Sequence, residues 1–217
     1  MAKLVWDQVG EKTYETGVYN GVLYKEAAGV YTDGVVWNGL TAVTESPSGA
    51  EPTPLYADNQ KYLNLMSVEE FGATIEAYTY PKEWEEFDGS ASITEGVTIG
   101  QQTRKTFGLA YKTILGNDVD QDSYGYKIHL IYGALASPTE KGYTTVSDTP
   151  DAMTFSWTVT TTPVMVEGFK PTALLTINSK EVDAEGLEAL EKVLFGDTET
   201  EPRLPLPLEV KAIIDGN

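Results

Sequence analysis

The chain has 217 residues, with 33 acidic and 15 basic side chains and a formal net charge of −18. That balance excludes wrapping nucleic acid by phosphate neutralisation, and the lack of any cysteine excludes disulfides and thiolate metal sites. With one histidine, His129, and no cysteine, neither a Cys–His nucleophile pair nor a zinc site of several histidines is expected within one chain.

A hydrophobic content of 41% and 13 tyrosines against 4 tryptophans and 6 phenylalanines indicate a folded chain with many half-buried strands and interfaces. The opening run M-A-K-L-V-W-D-Q-V-G-E-K places Asp7 and Glu11 where a signal peptide would be apolar, so none is expected. No apolar run approaches the roughly 20 residues that span a bilayer.

Residues 1–34 are rich in Tyr and Gly with little periodicity, and predict an extended N-terminal arm. Val35 to Val43 reads as one strand, with Trp37, Thr41 and Val43 on one parity. Glu45 to Pro54 carries loop chemistry, Tyr62 to Leu65 is a short apolar run, and Ser67 to Glu70 a turn or single helical turn. Gly72 to Tyr80 alternates as a strand, and Pro81 followed by acids predicts a short helix. Phe107 to Leu115 and Tyr126 to Tyr132 form a predicted hairpin whose long tip contains Asp118, Asp120 and Asp122. A loop near Ser137 to Gly142 and a short strand near Tyr143 come next.

Thr154 to Thr162 then alternates most clearly, with Phe155, Trp157 and Val159 opposite Ser156, Thr158, Thr160 and Thr162. Thr172 to Ile177 is a further strand. Asp183 to Phe195 is a helix, capped by Asp183, apolar at Leu187, Leu190 and Leu194, and ended by Gly196. The Leu-Pro alternation of the tail makes 197–217 an expected extended C-terminal arm.

Chemical equipment is scarce. Asp118 to Asp122 has the D-x-D-x-D opening of an EF-hand loop, but Ser123 and His129 stand where Gly and Glu are needed, which favours a solvated hairpin tip. Glu83, Glu85, Glu86 and Asp88 read as a wet helix face, because adjacency does not supply the separation and cleft of a glycosidase pair. His129 lies on the polar parity of its strand, as an ordinary surface or interface residue would. No glycine-rich phosphate loop occurs, and Arg104-Lys105 is an isolated basic pair. The expectation is no catalytic residue, no metal and no cofactor, in a mainly β fold: an antiparallel sandwich or small barrel with one flanking helix. Strand edges and arms then favour self-assembly by sheet continuation.

Several runs in order along the chain carry a family likeness. They are G-V-V-W-N-G-L-T-A-V-T-E-S-P-S-G-A-E (Gly34 to Glu51), L-Y-A-D-N-Q-K-Y-L-N-L (Leu55 to Leu65), E-F-G-A-T-I-E-A-Y-T-Y-P (Glu70 to Pro81), G-Q-Q-T-R-K-T-F-G-L (Gly100 to Leu109) and T-F-S-W-T-V-T-T-T-P-V (Thr154 to Val164). With these the sequence resembles the major tail proteins, or tail tube proteins, of siphophages and prophages of Gram-positive bacteria. The resemblance implies a single tail tube domain over 1–217, a virion location after synthesis in the host cytoplasm, and hexameric rings stacked into a hollow tube that conducts DNA.

It also implies partners: further copies of the chain and the tail tip, tape measure and tail terminator proteins, with no membrane. A hairpin and the terminal arms would join successive rings, with Asp118, Asp120 and Asp122 as a candidate inter-ring tip. The hydroxyl face Ser156, Thr158, Thr160 and Thr162 would be a wet wall on the bore or outer side. Six copies would carry 6 × −18, or −108, formal charges, and part of these facing the bore would keep DNA from sticking. The competing expectation is a glycan- or host-binding β-sandwich using Trp37, Trp84 or Trp157 as a sugar platform.

Overall fold

The computed structural model describes residues 3–146, 148 and 151–216. The chain is mainly β, with a large antiparallel sheet and few helices. In chain order the first strands are β1 (Thr13–Ala27), β2 (Val30–Trp37), β3 (Leu40–Glu45), β4 (Ser48–Gly49), β5 (Pro52–Ala57), β6 (Gln60–Met66), β7 (Glu69–Glu70) and β8 (Gly72–Ala77). A 3-10 turn (Lys82–Trp84) runs into α1 (Glu85–Asp88), followed by β9 (Ala91–Thr94) and β10 (Val97–Ile99). Then come β11 (Phe107–Asn117), β12 (Gln121–Ala136), β13 (Phe155–Thr161), β14 (Leu174–Asn178), α2 (Ala184–Phe195) and α3 (Pro207–Ile214).

Eight strands form one sheet in the order β2-β1-β11-β12-β13-β8-β3, with β14 on β12. Its terminal strands, β2 and β3, are joined by only Asn38-Gly39, so the sheet curls round into a split barrel. The expected single strand over Val35 to Val43 is therefore two strands meeting at a corner. Gly39 takes φ +78°, and Gly39 accepts a hydrogen bond from Tyr78 N–H there.

Inside the barrel lies an aromatic core. Trp84 packs against Trp37, Trp157, Phe87 and Phe107 at ring separations of 4.5–6.0 Å, with Leu23, Leu109, Ile75 and Val159 filling round them. A second core lies between the sheet and α2 and α3, built from Val22, Tyr24, Ile128, Leu130, Tyr132, Leu187, Leu190, Leu194 and Val210. The Tyr24 and Tyr132 hydroxyls donate to Leu194 O (2.7 Å) and Pro205 O (2.9 Å), tying the helical layer to the sheet. Central strands are thus buried on both faces.

Both expected arms are corrected. Residues 13–27 form β1, one of the sheet's inner strands, with Leu23 and Tyr24 fully buried. Two bulges, between Thr16 and Val18 and between Tyr19 and Val22, reset its side-chain parity and erase the period from the sequence. In the C-terminal region Leu204 bridges Tyr31 of β2, and Pro207 sits in the first turn of α3, where its fixed φ suits a helix. The fold therefore has α3 beside the single expected flanking helix, α2. Residues 1, 2 and 217 of the expected arms lie outside the described residues.

Other differences are local. The turn between β11 and β12 is Asp118 to Asp120, short where a long tip was expected, and the region around Tyr143 has no strand. Gly133 lets β12 change partners from β14 to β13: at φ +57°, a Cβ there would lie 2.2 Å from Thr162 O.

Candidate assembly surface

Three features distinguish the surface: a projecting ribbon, an unpaired seam and a hydroxyl wall. The ribbon grows out of the β3–β8 pair. Beyond Glu45 and Gly72 the same two chain directions continue as β4–β7 and then β5–β6, closed at Asp58-Asn59, both with positive φ. At ~3.3 Å per residue, Ser46 to Asp58 reaches up to about 40 Å. Every residue of β5 and β6 is exposed, including Leu55, Tyr56, Tyr62, Leu63, Leu65 and Met66. Leu55 pairs with Leu63, and Leu65 sits opposite Thr53, so one face is an aliphatic stripe. A lone two-stranded ribbon is marginal in water, and a ribbon apolar on both faces more so. In a chain of charge −18, β5 and β6 together carry one charged side chain, Lys61. The sequence chemistry Glu45 to Pro54 read as a loop is thus the ribbon's outgoing strand and root.

The seam lies where the barrel fails to close. Among the described residues, β1 pairs with β2 only from Gly21 onward, and β3 pairs only with β8. Residues 13–20 of β1 and all of β3 therefore present unpaired edges to one another across a cleft of about 290 Å³ lined by Glu15, Gly17, Val18, Thr41, Val43 and Tyr111. A polar group caps its mouth. The His129 ring stacks on Tyr111 at 4.7 Å, its Nε2 lies 3.0 Å from Thr113 Oγ1, and Glu15 of β1 and Glu45 of β3 each place an oxygen 3.4 Å from a ring nitrogen. Tyr111 Oη donates to Glu45 (2.8 Å), and Lys127 to Glu15 (2.6 Å).

Burial holds His129 below its ordinary value, against the opposing pull of Glu45 and Glu15. Burial pushes the Glu15 carboxyl up, but hydrogen bonds from Lys127 and Thr113 outweigh it and hold the group below the usual carboxylate range. Burial and the bond to Glu45 push the Tyr111 phenol up. His129, expected as an ordinary surface or interface residue, is 8% exposed in the single chain, because the alternate face of β12 is covered by the barrel interior.

The hydroxyl wall contains most of the predicted face. Ser156 is half-buried and Thr158 and Thr160 are exposed, while Trp157 and Val159 point into the core and Phe155 is half-buried. Thr158 sits opposite Thr74 of β8, and Thr74 opposite Thr44 of β3, giving a row of threonines across three strands beside Ser156–Glu76. Thr162 falls outside this row: β13 ends at Thr161, and Thr162 N–H donates to Gly133 O. The contribution of Thr44 follows from the sheet order and is absent from local periodicity.

The predicted acidic tip is engaged by its own chain. Asp118 accepts from Gly10 N–H (3.0 Å), Asp122 accepts from the Tyr14 hydroxyl (2.8 Å), and Asn117 Oδ1 accepts from the Asp120 N–H. This clasp fixes Gly10 and leaves Leu4, Val5, Trp6 and Val9 exposed ahead of it. Trp37, Trp84 and Trp157 are buried, so no sugar platform can be built from them. Among the described residues no group of three or more His, Asp or Glu side chains is placed to hold a metal ion, and no helix is long and apolar enough to cross a membrane. The sequence matches no family model, and no curated protein matches it.

Proposed function

We propose that this chain is a structural subunit of a phage-type tail tube, self-assembling into stacked hexameric rings around a channel for DNA, without enzymatic activity. The observation that carries the reading is the ribbon Pro52–Met66: an apolar, nearly uncharged projection from a strongly acidic body needs another protein surface to cover it. The unpaired seam and the exposed Leu4 to Val9 segment add edges that further copies can cover. The threonine wall around Thr158 supports a wet surface of low charge, and the excess of acids opposes adhesion to a polyanion. The inter-ring role passes from the clasped Asp118 to Asp122 turn to the ribbon.

Negative-stain electron microscopy of the purified protein, alone and with the tail tip, tape measure and terminator proteins, is the test. Rings or tubes are expected. A strict monomer at high concentration in the presence of those partners would overturn the reading. Thr158→Lys then locates the wall: on the bore it hinders DNA passage while tubes still form, and on the outside it is nearly silent.

A further inference from the structure

The ribbon needs a receiving surface, and the strand edges of the body narrow the choice. The outer edge of β2 is covered by the chain's own C-terminal region, where Gly34 N–H donates to Pro202 O and Leu204 N–H to Tyr31 O. The outer edge of β14 is short: Leu174 N–H and C=O both meet the Thr172 hydroxyl, and Asn178 O accepts from Glu181 and Val182. The seam differs. Ser46 N–H donates to Gly72 O, which sets the alternation of the β3–β8 ladder: Thr44 and Ala42 bond to β8, while Val43 and Glu45 turn their N–H and C=O groups to the unpaired side.

The ribbon's own edges are unequal. In β5, Pro52 and Pro54 lack N–H groups and sit opposite Met66 and Asn64. The ladder inside the ribbon therefore closes through the alternate pairs Thr53–Leu65 and Leu55–Leu63, and the N–H groups of Asn64 and Met66 face outward from β6. So β6 has a fully equipped outer edge, and β5 has one blocked by proline, which stops further strand addition. Because the ribbon extends away from the body, β6 cannot fold back on the β3 of its own chain.

Resting on the self-assembly reading above, we infer that the outer edge of β6 of one copy pairs with the free edge of β3 in a second copy, at the seam. The ribbon then runs parallel to the neighbour's β3, Asn64 bonding between Val43 and Glu45 and so lying opposite Thr44, and its leucines cover the cleft beside Val18 and Val43. The proline edge of β5 ends the extended sheet there.

The chain has no cysteine, so introduced thiols report on their own positions. Thr44→Cys and Asn64→Cys are made in separate preparations, mixed, assembled and treated with a short bifunctional maleimide. A cross-linked dimer of the two variants is expected, and none when Thr32→Cys, between the Tyr31 and Gly34 contacts that cover the β2 edge, replaces Thr44→Cys. As a second measurement, Asn64→Pro should raise the concentration needed for assembly by about tenfold, the loss of one outward hydrogen bond with its neighbour, while Asn64→Ala stays within about twofold. Assemblies that form normally with no Thr44–Asn64 cross-link, or with equal cross-linking at Thr32, overturn this pairing and leave the self-assembly reading intact. Absence of any assembly overturns both.

Discussion

Replacing Leu55, Leu63 and Leu65 together by serine separates a ribbon built for a partner from one that supports its own fold. These side chains are 41%, 38% and 55% exposed, so about half of each is still open to water. Full burial of a leucine contributes about 2 kcal/mol, so covering the open half contributes about 1 kcal/mol per residue. The triple variant should lose about 3 kcal/mol per ribbon contact, a rise of roughly a hundredfold in the concentration at which assemblies appear. Sedimentation velocity over a dilution series measures that threshold, and calorimetry of the unassembled protein measures the fold. The fold should be unaffected, because none of the three belongs to either buried core. An unchanged assembly threshold would refute the reasoning. So would a fall of more than a few degrees in the unfolding midpoint of the unassembled protein, because the leucines would then be packing against the body.

Other perturbations test the body. Lys112 is buried under α2, 2.5 Å from Glu191 and over the rings of Tyr126 and Phe195. Glu191→Ala strands that cation and should destabilise the fold by about 3 kcal/mol, and Lys112→Met in the same chain should recover most of it, read by urea denaturation. His129 is the sole histidine, so its ring protons can be followed by NMR without assignment. Its folded-state value lies below the ordinary 6.5, so the folded chain binds this proton less readily than the unfolded one. The stability it contributes is therefore present above about pH 6.5 and is lost as pH falls from there through the folded value; His129→Gln should remove that part of the pH dependence, and an NMR midpoint above 6.5 would reverse the sign. Gly49, at φ +79°, has room for no Cβ, since one would lie 2.4 Å from Val68 O at the ribbon's root. Gly49→Ala should speed proteolysis within 48–70 and leave the body intact, and equal cleavage rates would show that the root tolerates the change.

The strands with the clearest alternation were legible in the sequence. Phe107–Asn117, Gly72–Ala77 and Phe155–Thr161 are strands as their period predicts, and α2 begins at Asp183, whose side chain accepts from Glu185 N–H, and ends at Gly196. Local signals failed where chain geometry changes between neighbours. The bulges at Gly17 and Asn20 hid β1, the Asn38-Gly39 corner joined two strands into one, and Pro207 began a helix within a run that read as extended. The ribbon was missed because its prolines and polar residues read as loop, although on an edge strand proline is tolerated where no partner needs its N–H.

Composition and periodicity alone determined the acidic character, the scarcity of catalytic groups and the β class, because these depend on residue types and on a two-residue repeat. Only the tertiary structure decided which edges stay unpaired, which aromatic residues are buried, and that Thr158, Thr74 and Thr44 form one wall. Those properties arise from strands that are distant in sequence, and pairing order sets them, while local pattern is blind to it. His129 illustrates the difference: its parity reads as polar, at a surface or interface, but β12 is covered on both faces, so the same alternation places it inside.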